Sequence, residues 1–523
     1  MIHLDLDSLY LRIGGASTTE LKLVDSVTSY TIDGAWFSKA YKKRNVDGSR
    51  AWDGKQHLLS YSNSTGYKVH SGCAGDVCQA LRANGLKFEY VDRRPVPPQS
   101  CDHQWTGLIL TEDGVRDFEA RPYQVEAAEA VLSTSFPLGR CMVKLPIRSG
   151  KTVVAAMILG ALNIPSIFVT TSELLLDQTV KLYQVMFGSK VGVVGGGMWD
   201  PADLTVATIQ TLHAHMGQPE YKLLMERADC VIFDEVHHFT GQTRPPKKSN
   251  TQEKRKPQTP EEKKAAAERK KKVKSDSERS HWKDIILKCP AYWKLGLSAT
   301  IYVDITKANE KPGIWLKAAT GNICYEVTTK KMIEGGYLLR PAVEMYRVVG
   351  PNIVGDWAED EIYRRGIVNY VNRNKLLQGL AKAEADDGGL LMVHAHHHEH
   401  IDKLYELLTS VGILTAKLSG KTTKKQRHDA LDALQGHRIQ AVVGNIFGEG
   451  LDVPKVDVVI VAEAGDSRKK TLQRLRNLTP SRGKRYVKVI DFMDEHEPHL
   501  LKQSRSRLRA YKAEDAFDVR VIG

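Results

Sequence analysis

Residues 140–157 read RCMVKLPIRSGKTVVAAM, and the change of pattern inside this stretch sets the reading of the whole chain. Arg140 to Lys144 make a short, largely apolar strand, Pro146 to Gly150 interrupt it, and Lys151, Thr152 and a run of small aliphatic residues open a helix. Backbone N–H groups at such a helix start point at phosphate oxygens. A lysine there neutralises the outer phosphates, and the hydroxyl that follows it can hold Mg²⁺. Ser149, Gly150, Lys151 and Thr152 therefore read as a phosphate-binding loop.

A second block answers the first. Cys230 to Phe233 form an apolar strand that ends in Asp234, Glu235, Val236, His237 and His238. A carboxylate at the tip of a buried strand is costly unless it meets a cation, and Mg²⁺ bridging ATP phosphates supplies one. Asp234 is the expected Mg²⁺ residue together with Thr152, and Glu235 is placed to orient or deprotonate an attacking water. A lysine-bearing loop followed by an acidic strand end is far more specific than either block alone.

The order of the blocks resembles superfamily 2 helicases of the DEAD/DEAH type, here with a DEVH box. Phe118, Arg121, Tyr123 and Gln124 look like the adenine-reading motif, Gly150 to Thr152 like motif I, and Thr170 to Gln178 (TTSELLLDQ) like motif Ia. Thr208 to Leu212 (TIQTL), Asp234 to His237 (DEVH), and Ser298, Ala299 and Thr300 follow in the family's order, as does Gly448 to Pro454 (GEGLDVP), which is similar to motif V. The resemblance implies two tandem RecA-like lobes with parallel sheets, an α/β fold, ATP and Mg²⁺ as cofactors, and a motor that moves along nucleic acid. It implies Lys151, Asp234 and Glu235 as catalytic residues and Gly450 and Asp452 as sensors of lobe closure. It also implies Thr170, Ser172, Thr208, Gln210, His394, Gly420 and Lys421 as contacts to the strand. Motif VI departs from the family. Gln473 begins QRLRNLTPSR, where the family has a Gly-Arg pair and a further Arg, so Arg474, Arg476 or Arg482 would have to act as the arginine finger. A lost finger costs a factor of about 10³ to 10⁵ in rate, which keeps open a non-hydrolysing nucleic-acid binding or annealing protein.

At 523 residues the chain exceeds one core and implies two or three domains. The surplus of 13 positive charges, from 75 Lys and Arg against 62 Asp and Glu, favours a polyanionic partner. Seven scattered cysteines argue for a reducing compartment, and no run of 18 apolar residues exists, so a cytoplasmic protein with no membrane partner is expected. Cys73, Cys78, Cys101 and His103 fit no common zinc spacing.

Residues 1–93 lack motor motifs and read as a small α+β accessory domain with several short strands. Within it, Trp36, Phe37, Lys39, Tyr41, Lys42, Lys43, Arg44, Arg50 and Trp52 interleave aromatic and basic residues. That suits either a nucleic-acid surface or half-buried rings beside a solvated basic turn. Trp52 to Lys55 with His57 to Leu59 resemble the accessory domain of phage recombination helicases of the UvsW type. Residues 94–104 are a proline-rich linker, 105–341 the first lobe, and 342–523 the second lobe with a tail expected to be helical. The insertion 241–279 has fourteen Lys or Arg against six Asp or Glu and almost no large apolar residues. It reads as a nucleic-acid grip, a nuclear address or a merely soluble loop. His396, His397, His398 and His400 are expected in an exposed turn rather than at a metal. The expected activity is ATP-dependent remodelling of duplex, forked or branched DNA in replication, recombination or repair. RNA is the alternative, because backbone contacts discriminate the sugar poorly.

Overall fold

The computed structural model describes all residues except 33–34, 38, 46–49, 98–100, 102–104, 112–113, 134–137, 147, 239–281, 300, 302–312, 354, 356, 421, 446–455, 466–486 and 515. The chain divides into two compact units, residues 1–145 with 150–326, and residues 146–149 with 327–523. Among the described residues no helix is long and apolar enough to cross a membrane, and no three His, Cys, Asp or Glu residues gather as a metal site.

The first unit opens with β1 (Ile2–Leu6), β2 (Tyr10–Gly14), α1 (Thr18–Val27), β3 (Ser29–Thr31), β4 (Lys55–His57), β5 (Ser60–Ser62), β6 (Gly66–His70), α2 (Ala74–Ala83) and β7 (Phe88–Asp92). Ile2, Leu4 and Leu6 point inward while His3 is exposed, the period of two that a half-buried strand requires. The sheet order is β5-β6-β2-β1-β7, with β1 and β7 parallel. α1 starts on a capping box in which Ser17 Oγ accepts from Glu20 N and Glu20 Oε2 accepts from Ser17 N at 2.6 Å.

The motor half of this unit contains β8 (Leu108–Thr111), β9 (Gly114–Asp117), α3 (Pro122–Leu132), β10 (Arg140–Lys144), α4 (Lys151–Leu162), β11 (Ser166–Thr170), α5 (Glu173–Phe187), β12 (Val191–Gly195), β13 (Met198–Asp200) and β14 (Leu204–Thr208). It continues through α6 (Ile209–Ala214), β15 (Cys230–Phe233), β16 (Trp293–Ser298), α7 (Gly313–Thr320) and β17 (Asn322–Glu326). Eight strands run β13-β12-β14-β11-β15-β16-β10-β17, parallel apart from β13. β11 and β15 are buried at every position, which explains why they read as continuous apolar runs rather than alternating ones.

The accessory residues do not hang from a free linker. Ile2, Leu4, Val77 and Leu81 share one apolar core with Ile285, Trp315, Leu316 and Ala318. A Cβ at Gly72 would lie 2.3 Å from Lys317 O, so only glycine admits this approach of backbone to α7. Arg140, 1% exposed, donates to the carbonyls of Ser8 and Ala291 at 2.9 Å and to that of Tyr292. Arg94, expected in the linker, is instead buried. It pairs with Asp92 at 2.6 Å and donates to Leu138 O at 2.7 Å, because its guanidinium satisfies strand-end carbonyls that would otherwise be orphaned.

The second unit carries β18 (Pro341–Val348), α8 (Val371–Asp386), β19 (Leu391–His394), α9 (His398–Ser410), β20 (Thr415–Leu418), α10 (Lys424–Gln435), β21 (Ala441–Gly444), β22 (Val458–Val461), β23 (Val487–Asp494), α11 (Pro498–Lys512) and β24 (Asp518–Ile522). Its parallel sheet runs β20-β21-β19-β22-β23-β18-β24. The tail is thus a helix plus an edge strand, β24, which pairs with β18. One expectation is corrected: His398 and His400 begin α9, and His400 is fully buried, its ring bonded to Tyr363 Oη at 2.9 Å. Burial holds that imidazole's pKa down to about 3, so it is a neutral core group.

Candidate active site

β10 delivers the chain to the loop, and α4 begins at Lys151 with Gly150 as its N-cap at φ 77°. A Cβ at Gly150 would sit 2.6 Å from Gln124 Nε2, so the absence of a side chain lets the loop close on α3. Arg148 adopts φ 62°, a left-handed conformation that favours glycine and that an arginine adopts at a cost of about 1–3 kcal/mol.

β15 lies two strands from β10, with β16 between them, so its tip faces the same carboxyl-terminal edge of the sheet. There Asp234 and Glu235 are 8% and 7% exposed. Asp234 Oδ1 accepts from Glu235 N at 2.9 Å, and Lys151 Nζ stands 3.7 Å from Glu235 Oε1. Glu235 also has positive φ, 49°. Its other oxygen accepts from Ser298 Oγ at 3.3 Å, and Ser298 Oγ lies 2.6 Å from His237 Nδ1. Motif I, motif II and Ser298 are thereby joined by hydrogen bonds and one ion pair. Two buried carboxylates beside an ammonium are a donor set that suits a divalent cation and the phosphates it bridges.

Of the other expected cofactor residues, Gln124 is buried and its Oε1 accepts from Arg121 N at 3.0 Å, while Arg121 donates to Tyr123 Oη at 3.0 Å. Phe118 packs edge-on against Trp105, ring centroids 5.3 Å apart. Thr152 O accepts from Tyr183 Oη at 3.1 Å. Burial and the nearby Asp234 carboxylate raise the Tyr183 pKa well above its usual value, so that hydroxyl remains a donor. Neither Trp105 nor Tyr183 belongs to a motif, and no local pattern singles them out.

The expected strand contacts separate by burial. Thr170 and Thr208 are 0% and 2% exposed, and Thr208 Oγ1 donates to Thr211 Oγ1 at 2.9 Å and caps α6. Ser172 Oγ caps α5 by accepting from Leu175 N at 3.3 Å. The Ser172 and Thr208 hydroxyls are thus taken up in capping helices, whereas Thr170 Oγ1 is buried with no hydrogen-bond partner among the described residues. Gln210 is exposed and joins the two loops through Thr171 O at 2.9 Å. In the second unit, His394 is buried at the end of β19 and Gly420 is exposed after β20. Lys42, Lys43 and Arg44 are exposed in the accessory module. Thr300, Lys421, Gly450, Asp452, Gln473, Arg474, Arg476, His103 and the insertion 241–279 lie outside the described residues.

Two family models match the chain, "Type III restriction enzyme, res subunit" over residues 117–303 and "Helicase conserved C-terminal domain" over residues 372–476. A protein named as a helicase in the Sulfolobus islandicus filamentous virus (isolate Iceland/Hveragerdi) is 24% identical over 439 residues, covering 77% of this chain and 69% of that one. The DNA 3'-5' translocase XPB2 of Sulfurisphaera tokodaii is 22% identical over 402 residues, covering 70% of this chain and 80% of its own. Among solved structures, Saccharomyces cerevisiae Dbp5 bound to RNA and ADP BeF3 superposes with a TM-score of 0.51 at 15% identity, covering 77% of this chain and 89% of that one. Bacteriophage T4 UvsW matches over 100% of this chain and 99% of its own at 18% identity, with a TM-score of 0.42.

Proposed function

We propose that this chain, which belongs to the superfamily 2 helicases, is an ATP-dependent DNA helicase or translocase that remodels duplex or branched DNA. The observation that carries the catalytic part is the contact between Lys151 and Glu235, which ties the helix start after β10 to the strand end of β15. In this reading the Lys151 ammonium and the N–H groups opening α4 meet the phosphates of ATP. Asp234 and the Thr152 hydroxyl hold Mg²⁺, and Glu235 orients and deprotonates the attacking water. Phe118, Arg121 and Gln124 take the adenine. The bound magnesium nucleotide supplies the phosphoanhydride whose cleavage drives motion. Gln473, Arg474, Arg476, Gly450 and Asp452 are assigned to the second lobe's share of catalysis by motif position alone.

Three observations support DNA as the track. A similar protein bears the name DNA 3'-5' translocase, the chain carries a net charge of +13, and an accessory module precedes the motor. Gln210, Gly420 and Lys421 are then proposed at the phosphate backbone, with Ser172 and Thr208 capping the helices that follow β11 and β14. ATP turnover measured with blunt duplex, forked DNA and RNA in parallel tests the reading. Stimulation by DNA, greatest with the fork, is expected, and stimulation by RNA alone would overturn it.

A further inference from the structure

α11 packs against β23 with one face in the core of the second unit, where Leu500, Ser504, Arg507, Ala510 and Tyr511 are buried. The bonds from Arg507 Nε and Tyr511 Oη to Asp491, each 2.9 Å, pin the helix about its own axis and so fix which residues face water. Those residues are Pro498, Lys502, Arg505, Arg509 and Lys512. After the first turn, every exposed position of this helix is a cation. Its sequence, PHLLKQSRSRLRAYK, holds no Asp or Glu at all.

This arrangement works against the helix's own stability. Spacings of three and four residues set Lys502, Arg505, Arg509 and Lys512 side by side, and like charges at those spacings repel. A face that only keeps a helix in water intersperses both signs. Among the described residues no carboxylate lies within ion-pair reach of any of the four. Of the acids that flank the helix, Glu497 accepts from Leu500 N at 2.7 Å, Glu495 lies 3.7 Å from Arg347, and Asp518 holds Arg520 at 2.7 Å. A row of unanswered cations on a rigid element calls for a polyanion. A bilayer does not fit, because the apolar side of α11 is already in the core and leaves nothing to insert. An unpaired strand fits poorly, because no aromatic side chain is exposed along α11 for its bases to stack on. A duplex fits in length. Lys502 to Lys512 covers about 15 Å of straight helix, and phosphates on one strand of a duplex recur about every 3.4 Å of its axis, so roughly four fall within the row.

We propose that the outer face of α11 is a duplex-DNA contact, in which Lys502, Arg505, Arg509 and Lys512 meet successive phosphates of one strand. Phosphate contacts carry no sequence information, so the face grips any duplex. None of the four residues belongs to a motor motif, and the contact adds to those proposed at the motifs. The proposal rests on the DNA reading above but not on hydrolysis.

The test is fluorescence anisotropy of the full chain without nucleotide, titrated into labelled blunt duplex and into labelled oligo(dT) across a range of KCl. Lys502→Gln/Arg505→Gln/Arg509→Gln/Lys512→Gln is expected to reduce the salt slope for duplex by about 3 to 4, as four lost phosphate contacts require, and to leave the oligo(dT) slope unchanged. The variant should melt no lower than the native chain, because the replaced side chains are exposed and repel one another. Lys22→Gln/Lys87→Gln/Lys331→Gln/Lys375→Gln removes the same charge from scattered exposed positions and should keep the native slopes. The proposal is overturned if the α11 variant keeps the native duplex slope, if the scattered variant loses as much, or if the oligo(dT) slope falls equally. It is also overturned if the α11 variant keeps duplex binding and loses instead the native chain's binding to phosphatidylserine vesicles. ATP turnover of the native chain with and without DNA separates this contact from the motor. An inert native chain whose α11 variant still loses duplex slope would sink the motor and leave the contact standing, and a DNA-stimulated chain whose α11 variant keeps that slope would do the reverse.

Discussion

Lys151 Nζ lies 3.7 Å from Glu235 Oε1, and both side chains are 10% exposed. The pair joins the first residue of α4 to a residue held at φ 49° just past β15, a backbone state that costs about 1–3 kcal/mol outside glycine. The fold keeps that strain at the point where a charged loop meets a charged strand tip. The same carboxylate accepts from Ser298 at the end of β16, so a change felt by Glu235 reaches a third strand end directly.

Glu235→Gln preserves the size of the side chain and removes the base. ATP turnover is expected to fall about 10²- to 10⁴-fold, with nucleotide affinity largely kept. Lys151→Ala should lose both. Steady-state turnover together with fluorescent-nucleotide binding distinguishes the two patterns, and a Glu235→Gln protein with native turnover would remove Glu235 from the chemistry.

Arg140 holds the accessory module through buried carbonyls, so Arg140→Met leaves the acceptors at Ser8 and Ala291 without their donor. Each buried orphan costs about 1–3 kcal/mol. The expected outcome is a lower melting temperature and faster proteolysis within residues 1–93, where the native module resists. Equal cleavage of both proteins would show that the module is held by its apolar contacts alone.

Stability should climb with pH in two windows. Lys294 is 1% exposed, and burial together with the Arg140 charge depresses its pKa from 10.5 to about 7. Below pH 7 the group is charged in both states and the fold bears the full penalty. Between 7 and 10.5 the unfolded chain still holds a proton that the folded chain has released, so stability rises. Burial and Lys294 likewise lower His70 from 6.5 to about 4, giving a rise between those values. Urea melts at pH 5, 7 and 9 should show both rises, and Lys294→Met should flatten the interval from 7 to 9. A native curve parallel to the variant's over that interval would refute the assignment.

The RecA-like character of both lobes and the tips of β10 and β15 were legible because they are written locally, as an apolar run closed by Gly-Lys-Thr or by Asp-Glu. Fusion of the accessory module was not. It depends on Gly72 meeting Lys317 and on Ser8 meeting Arg140, contacts between residues far apart in the chain that no periodicity announces. Arg94 read as linker because proline dominates its surroundings, yet its partners Leu138 and Tyr292 lie far along the chain, just before β10 and β16. β24 was missed because an edge strand of five residues after a helix leaves only DVRVI, too short a pattern to stand alone. The capping roles of Ser172 and Thr208 were hidden for a related reason: a hydroxyl that caps a helix and one that meets a phosphate look alike in sequence.

In the second unit Asp491 and Arg507 are fully buried, paired at 2.9 Å, with Tyr511 Oη donating to Asp491 at 2.9 Å and Arg373 Nε donating to Asp494 at 2.8 Å. Although burial opposes the charge, Asp491 and Asp494 raise the Arg507 pKa, so the guanidinium stays protonated throughout the accessible range. Removing one partner strands the other charge in a dry core. Arg507→Met is therefore expected to cost about 3–5 kcal/mol. Tyr511→Phe removes one bond to a carboxylate that keeps its guanidinium, and about 1.5–3 kcal/mol is expected. Asp491→Asn/Arg507→Met removes both charges together and should recover part of the single-variant loss, a coupling that a double-mutant cycle on urea-melt free energies reads directly. Strict additivity of the two single changes would mean that packing, and not charge pairing, makes Arg507 matter to this sheet.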